Sequence, residues 1–136
     1  MFRIIEHTAD VGIEAYGKTL EEALENAAKG MFSIMTGGGK IESKVTKKIK
    51  IPFDMDIEQL LVDWLSELVY IHDVEHLVFG EFDVEINEKE LRAKAYGEEY
   101  DISKHGYGME IKAVTYHMLE VKKDKKGYVV RCLFDI

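Results

Sequence analysis

The chain has 136 residues, 46% of them hydrophobic, with 18 basic against 26 acidic side chains and a net charge of −8. That length and apolar content suffice for one domain over residues 1–136 whose core needs no disulfide or metal staple. The acidic balance excludes a broad electrostatic footprint for nucleic-acid backbone, so any service to RNA is expected to run only indirectly, through another protein.

The opening Phe2-Arg3-Ile4-Ile5 reads as an apolar strand. It runs into His7-Thr8-Ala9-Asp10-Val11-Gly12, a polar interruption in which Asp10 is either a turn former or a hard oxygen ligand on a rigid scaffold. Val11, Ile13 and Ala15 then alternate with Gly12 and Glu14, the period of a half-buried strand ending at Tyr16-Gly17. Thr19-Leu20-Glu21-Glu22 has the form of a capping box. From it Leu20, Ala23, Leu24, Ala27, Ala28, Met31, Phe32 and Met35 recur at helical spacing, until Thr36-Gly37-Gly38-Gly39 stops the helix through a left-handed glycine. Lys44 to Ile51 alternates apolar residues with lysines, the pattern of a charge-guarded edge strand, and Pro52 ends it. A second helix starts at the N-cap Asp56, with Gln59 in the reciprocal position. It carries Ile57, Leu60, Leu61, Trp64, Leu65, Leu68 and Ile71 inward, placing the only tryptophan in mid-core.

Leu77 to Ile86 and Leu91 to Tyr96 flank Asn87-Glu88-Lys89-Glu90 as a hairpin, and Tyr100 to Gly108 reads as an irregular surface loop. Ile111 to Val121 and Tyr128 to Ile136 bracket a lysine-rich turn, Lys122 to Lys126, as a long terminal hairpin. Two main helices amid about seven strands, without regular β-α alternation, predict an α+β fold with mainly antiparallel sheet.

Several constellations carry chemical meaning. His72-Asp73-Val74-Glu75-His76 matches H-x-x-E-H, the inverted zinc-protease pattern, so a small zinc hydrolase using His72, Glu75 and His76 is one reading. Its bland counterpart is a polar helix end, because the match falls where the helix runs out and no third ligand is evident. Gly37-Gly38-Gly39-Lys40 lacks the glycine and the hydroxyl residue of a phosphate loop, since Ile34 and Ile41 stand in those places. The Lys122–Lys126 turn reads as a solvated tip, and His117 as a half-buried structural histidine. Cys132, the single cysteine, sits in an apolar strand, where a buried thiol is favoured over a nucleophile; one cysteine excludes an internal disulfide and suits a reducing compartment. No signal-peptide pattern or apolar run near the roughly 20 residues of a membrane span occurs, so no membrane contact and a cytoplasmic location are expected. At the C-terminus, Asp135 and the carboxylate on Ile136 put two hard anionic groups one residue apart. If that strand lies beside the start of the chain, Asp10, Asp135 and Ile136 converge into an oxygen-rich site for Ca²⁺, or for Mg²⁺ or Mn²⁺.

Four segments together resemble the archease family: His7-Thr8-Ala9-Asp10-Val11-Gly12, Asp63-Trp64-Leu65-Ser66-Glu67-Leu68, Glu110-Ile111-Lys112-Ala113 running into Thr115-Tyr116-His117, and Phe134-Asp135-Ile136. The likeness covers essentially the whole chain in order. It implies a protein cofactor, not an enzyme: an activator of the RtcB-type tRNA-splicing ligase that promotes its guanylylation and multiple turnover. It also implies a Ca²⁺ site at Asp10, Asp135 and Ile136, and a role for Lys112, with Asp10 and Asp135, in activation of the partner; His7 is left a supporting or structural role. A general chaperone-like protein-binding module is a further alternative.

Overall fold

In a computed structural model that describes residues 1–7 and 10–136, eight strands and three helices build two antiparallel sheets around shared helices. The order is β1 (Phe2–His7), β2 (Asp10–Gly17), α1 (Leu20–Met35), β3 (Val45–Pro52), α2 (Ile57–Glu75), β4 (Leu77–Ile86), β5 (Glu90–Glu99), α3 (Ile102–His105), β6 (Ala113–Val114), β7 (Glu120–Asp124) and β8 (Gly127–Asp135). The α+β class with antiparallel pairing is as the sequence predicts.

The first sheet runs β1-β2-β8-β6, with β7 pairing the same strand β8 further from its end. The second runs β3-β5-β4. The 16-residue α1 packs on β2 of one sheet and β4 of the other, so its fully buried Ala23, Leu24, Ala27 and Ala28 lie at the centre. Small residues on that face let backbone approach backbone, and large ones fill the layer beside it. Trp64 of α2 is fully buried and donates its indole N–H to the Leu24 carbonyl at 2.9 Å, tying helix to helix. Around it, Phe32 meets Phe79 edge-on with centroids 5.6 Å apart, and Phe82 meets Trp64 edge-on at 5.9 Å.

The local chemistry departs from expectation in four places. The Thr19 hydroxyl takes the Glu22 N–H at 3.1 Å, but the Glu22 carboxylate bonds the Lys18 N–H instead of that of Thr19, so the box is open on one side. At α2, Asp56 accepts the Gln59 N–H as predicted, while the Gln59 amide turns to Asp63 and to the Tyr116 hydroxyl. The glycines after α1 do not cap it. Thr36 ends the helix in extended backbone at φ −109°, its hydroxyl donating to the Phe32 carbonyl. The Gly37 and Gly39 N–H groups donate to the His105 carbonyl, and a Cβ on Gly39 would lie 2.4 Å from the Lys104 carbonyl oxygen. Close approach of two chain segments, not a left-handed cap, is what those glycines permit. Finally, Ile111 to Val121 is not one strand. It breaks into β6 and β7 where Met118 adopts φ +55° and its carbonyl accepts from Arg131 Nε at 3.2 Å.

Pro52 is also the last residue of β3, not a residue beyond it, and this is tolerated because β3 is an edge strand. Among the described residues no helix is long and apolar enough to cross a membrane.

Candidate functional site

Strand β8 joins the two ends of the chain. In its pairing with β2, Val11 lies opposite Phe134, and both side chains are buried. The next position on each strand is Asp10 and Asp135. Side chains alternate across a sheet, so these two carboxylates fall on the opposite, outer face of neighbouring strands. On the other side of β8, Ala113 lies opposite Asp135, and the Lys112 N–H donates to the Asp135 carbonyl at 2.7 Å. Asp10 is half-buried, whereas Lys112, Asp135 and Ile136 are exposed. Asp10 and Asp135 thus come from adjacent strands at one end of the first sheet, and Lys112 lies just before β6, the strand on the other side of β8. The side chain of His7, together with Thr8 and Ala9, lies outside the described residues.

The two aspartates offer hard oxygens, a donor type that suits Ca²⁺ or Mg²⁺ better than zinc. Among the described residues, no group of three or more His, Cys, Asp or Glu side chains is assembled to hold a metal. A cation at Asp10 and Asp135 would therefore draw on main-chain oxygens or a partner's groups to complete its shell.

The zinc-hydrolase pattern does not assemble. His76 is the C-cap of α2 in the left-handed conformation, φ 59°. Glu75 is held by Lys47 at 2.9 Å, and His72 Nδ1 engages the Leu77 carbonyl at 2.9 Å. The His72 ring packs between Phe32 and Tyr100, a structural place. His117, expected to be half-buried, is exposed. Cys132 is fully buried and its thiol is pushed up to about 12 by that burial, which suits packing and not nucleophilic chemistry.

A cluster not singled out from the sequence steers the segment that leads to Lys112. His105, fully buried at the end of α3, receives the Asp101 N–H on Nδ1 at 3.0 Å. Its proton is therefore assigned to Nε2, which donates to Glu98 Oε2 at 2.9 Å. Glu98 also accepts the Glu42 N–H at 2.7 Å and the Lys104 ammonium at 2.9 Å. The His105 bond foremost, then the Glu42 N–H and Lys104, hold the Glu98 carboxyl down at about 2. The next residues continue this fastening: Tyr100 donates its hydroxyl to the Gly106 carbonyl at 2.7 Å, and the Met109 N–H reaches the Ile34 carbonyl at 2.9 Å. Three residues later Lys112 meets Asp135. The signal available in sequence was only a lone histidine and acid seven residues apart, which carries no recognisable spacing.

The Archease protein family (MTH1598/TM1083) matches residues 2–136. The chain is 48% identical over 126 residues to the protein archease of Pyrococcus furiosus, covering 90% of this chain and 88% of that one. It is 41% identical over 137 residues to that of Sulfurisphaera tokodaii, covering 99% and 98%. Among solved structures, the solution structure of Methanobacterium thermoautotrophicum protein 1598 superposes with a TM-score of 0.86 at 39% identity, covering 99% of this chain and 98% of that one. The crystal structure of an archease from Thermotoga maritima, described as a possible chaperone, shares the fold with a TM-score of 0.65 at 23% identity, covering 97% and 94%. With a family match over nearly every residue and relatives above 40% identity across the whole length, the chain belongs to the archease family.

Proposed function

We propose that this protein is a cofactor, not an enzyme, that activates an RtcB-type tRNA-splicing ligase by promoting transfer of GMP from GTP to the ligase's histidine, over many turnovers. The observation that carries the reading is that Asp10 and Asp135 lie on neighbouring strands, with the Lys112 N–H bonded to the Asp135 carbonyl, in a chain of this family. A pair of carboxylates at one sheet end, with Lys112 bonded there through its backbone, suits a site that works on a partner's chemistry. Asp10, Asp135 and Ile136 would hold a divalent cation, Ca²⁺ in the first instance. Such a cation supplies positive charge beside the phosphates of a transferring nucleotide. Lys112, exposed and bonded to Asp135 through its backbone N–H, would offer its ammonium to the partner, and the acidic surface favours approach to a basic RNA-binding face on the ligase without competing for RNA phosphates.

The test is GMP loading of the ligase with GTP and divalent metal, followed through repeated rounds of ligation. Wild-type protein is expected to sustain turnover, and Asp10→Ala, Asp135→Ala and Lys112→Ala, each folded, to lose most of that stimulation. Near-normal stimulation by all three would sink the assignment of the site. Equal rescue of unrelated unfolding clients would favour instead the chaperone role suggested for the Thermotoga maritima protein.

A further inference from the structure

A cavity of about 210 Å³ opens between the end of α2 and the segment that leads into β6. Its walls include the rings of Tyr100, Tyr107 and His72 and the thioether of Met109, with Asp73 and Glu110 as the two charged lining residues. Both carboxylates are exposed, and among the described residues neither has an ion-pair partner. Tyr107 and Met109 are 73% and 45% exposed, and Tyr70 and Val74, the α2 neighbours of Asp73, are 61% and 56% exposed. Large aromatic and methionine side chains left in water beside a cavity are the composition of a protein contact, not of a solvated face.

The pairing of flat rings with two unpartnered acids narrows the occupant. A guanidinium stacks on aromatic faces and bonds carboxylates through paired N–H groups, and arginine is enriched among the anchors that fill interface pockets. We propose that this cavity is a socket for an arginine side chain on the basic face of the partner ligase, docking it next to Lys112, two residues beyond Glu110. This rests on the function proposed above for the partner's identity. The socket places affinity in Asp73, Glu110 and Tyr107, apart from the groups at Asp10, Asp135 and Lys112 that act on the chemistry.

Two measurements test it. First, the protein alone, labelled with ¹⁵N, is titrated at millimolar concentration with N-acetyl-arginine amide and with its neutral isostere N-acetyl-citrulline amide. Saturable shifts confined to residues around Asp73, Tyr107 and Glu110 with the arginine probe, and none with citrulline, are expected. Identical responses to the two probes, or none to either, would overturn the socket whatever the ligase does. Second, ligase guanylylation is followed against protein concentration for wild type, Asp73→Asn/Glu110→Gln and the distant control Glu85→Gln. The double variant is expected to need about tenfold more protein for half-maximal stimulation with the plateau unchanged, the control to match wild type, and the gap to shrink as salt rises. An unchanged half-maximal concentration would overturn the docking role while leaving the activator function standing. Absence of stimulation by the wild type would remove the activator function, and with it the named partner.

Discussion

Two side chains hidden from solvent make different kinds of claim. Cys132 pairs opposite Ile13 in the middle of the first sheet and is fully buried, with its thiol held near 12. Native protein at pH 8 is therefore expected to leave a thiol reagent unreacted, while protein in strong denaturant reacts at one site per chain; fast labelling of the native form would contradict this. Glu98 carries the sharper consequence. Its folded carboxyl lies at about 2, below the ordinary value of 4.5, so the stability it contributes is complete above the ordinary value and is lost as pH falls through about 2. In Glu98→Gln that loss cannot occur. Denaturant unfolding at pH 5, 4 and 3 is expected to show a shallower decline for the variant than for wild type, from a lower starting stability. Parallel declines would mean that His105 and Lys104 do not hold the carboxylate as the hydrogen bonds indicate.

At the level of elements, the link between α1 and α2 is the most informative one to cut. Trp64→Phe keeps most of the buried ring and removes the N–H bonded to the Leu24 carbonyl. The expected loss is about 1–2 kcal/mol, against about 3–5 kcal/mol for Trp64→Ala, which also opens a cavity. Both are read from equilibrium unfolding, and a Phe variant as stable as wild type would remove the bond from the account. The stripe that carries Trp64 was legible because helical spacing repeats over five turns and its partner surface does not alter the period. So were both N-caps, which depend on a single local hydrogen bond each. What escaped is what two distant segments decide together. Gly37 and Gly39 look like a helix stop until His105 is seen accepting their N–H groups, and the helical turn Ile102–His105 exists around a histidine bonded to β5 and to the segment after α1. The break between β6 and β7 likewise depends on Arg131, across the sheet. For the candidate site, the sequence made the nearness of Asp10 and Asp135 conditional on the last strand lying beside the first ones, and the β2–β8 register was needed to put them on neighbouring strands.

For the whole molecule, the same register would tie the proposed cation binding to fold stability. A ligand that bridges Asp10 on β2 and Asp135 on β8 fastens the first strands of the chain to its last, and an unfolded chain holds those carboxylates far apart. Binding to the folded state alone stabilises by an amount set by concentration over the dissociation constant, about 2.7 kcal/mol at a hundredfold excess. Thermal unfolding in Ca²⁺ is therefore expected at higher temperature than in chelator, with the difference growing as the logarithm of Ca²⁺ concentration. Asp10→Ala and Asp135→Ala should each remove most of that dependence, and Glu85→Gln, on the outer face of the second sheet, should keep it. Each substitution also changes the stability in chelator, so the discriminating quantity is the Ca²⁺-dependent increment and not the melting temperature itself. An increment that survives both aspartate variants would assign the cation to another place on this acidic surface, and the chain ends would then meet for packing alone.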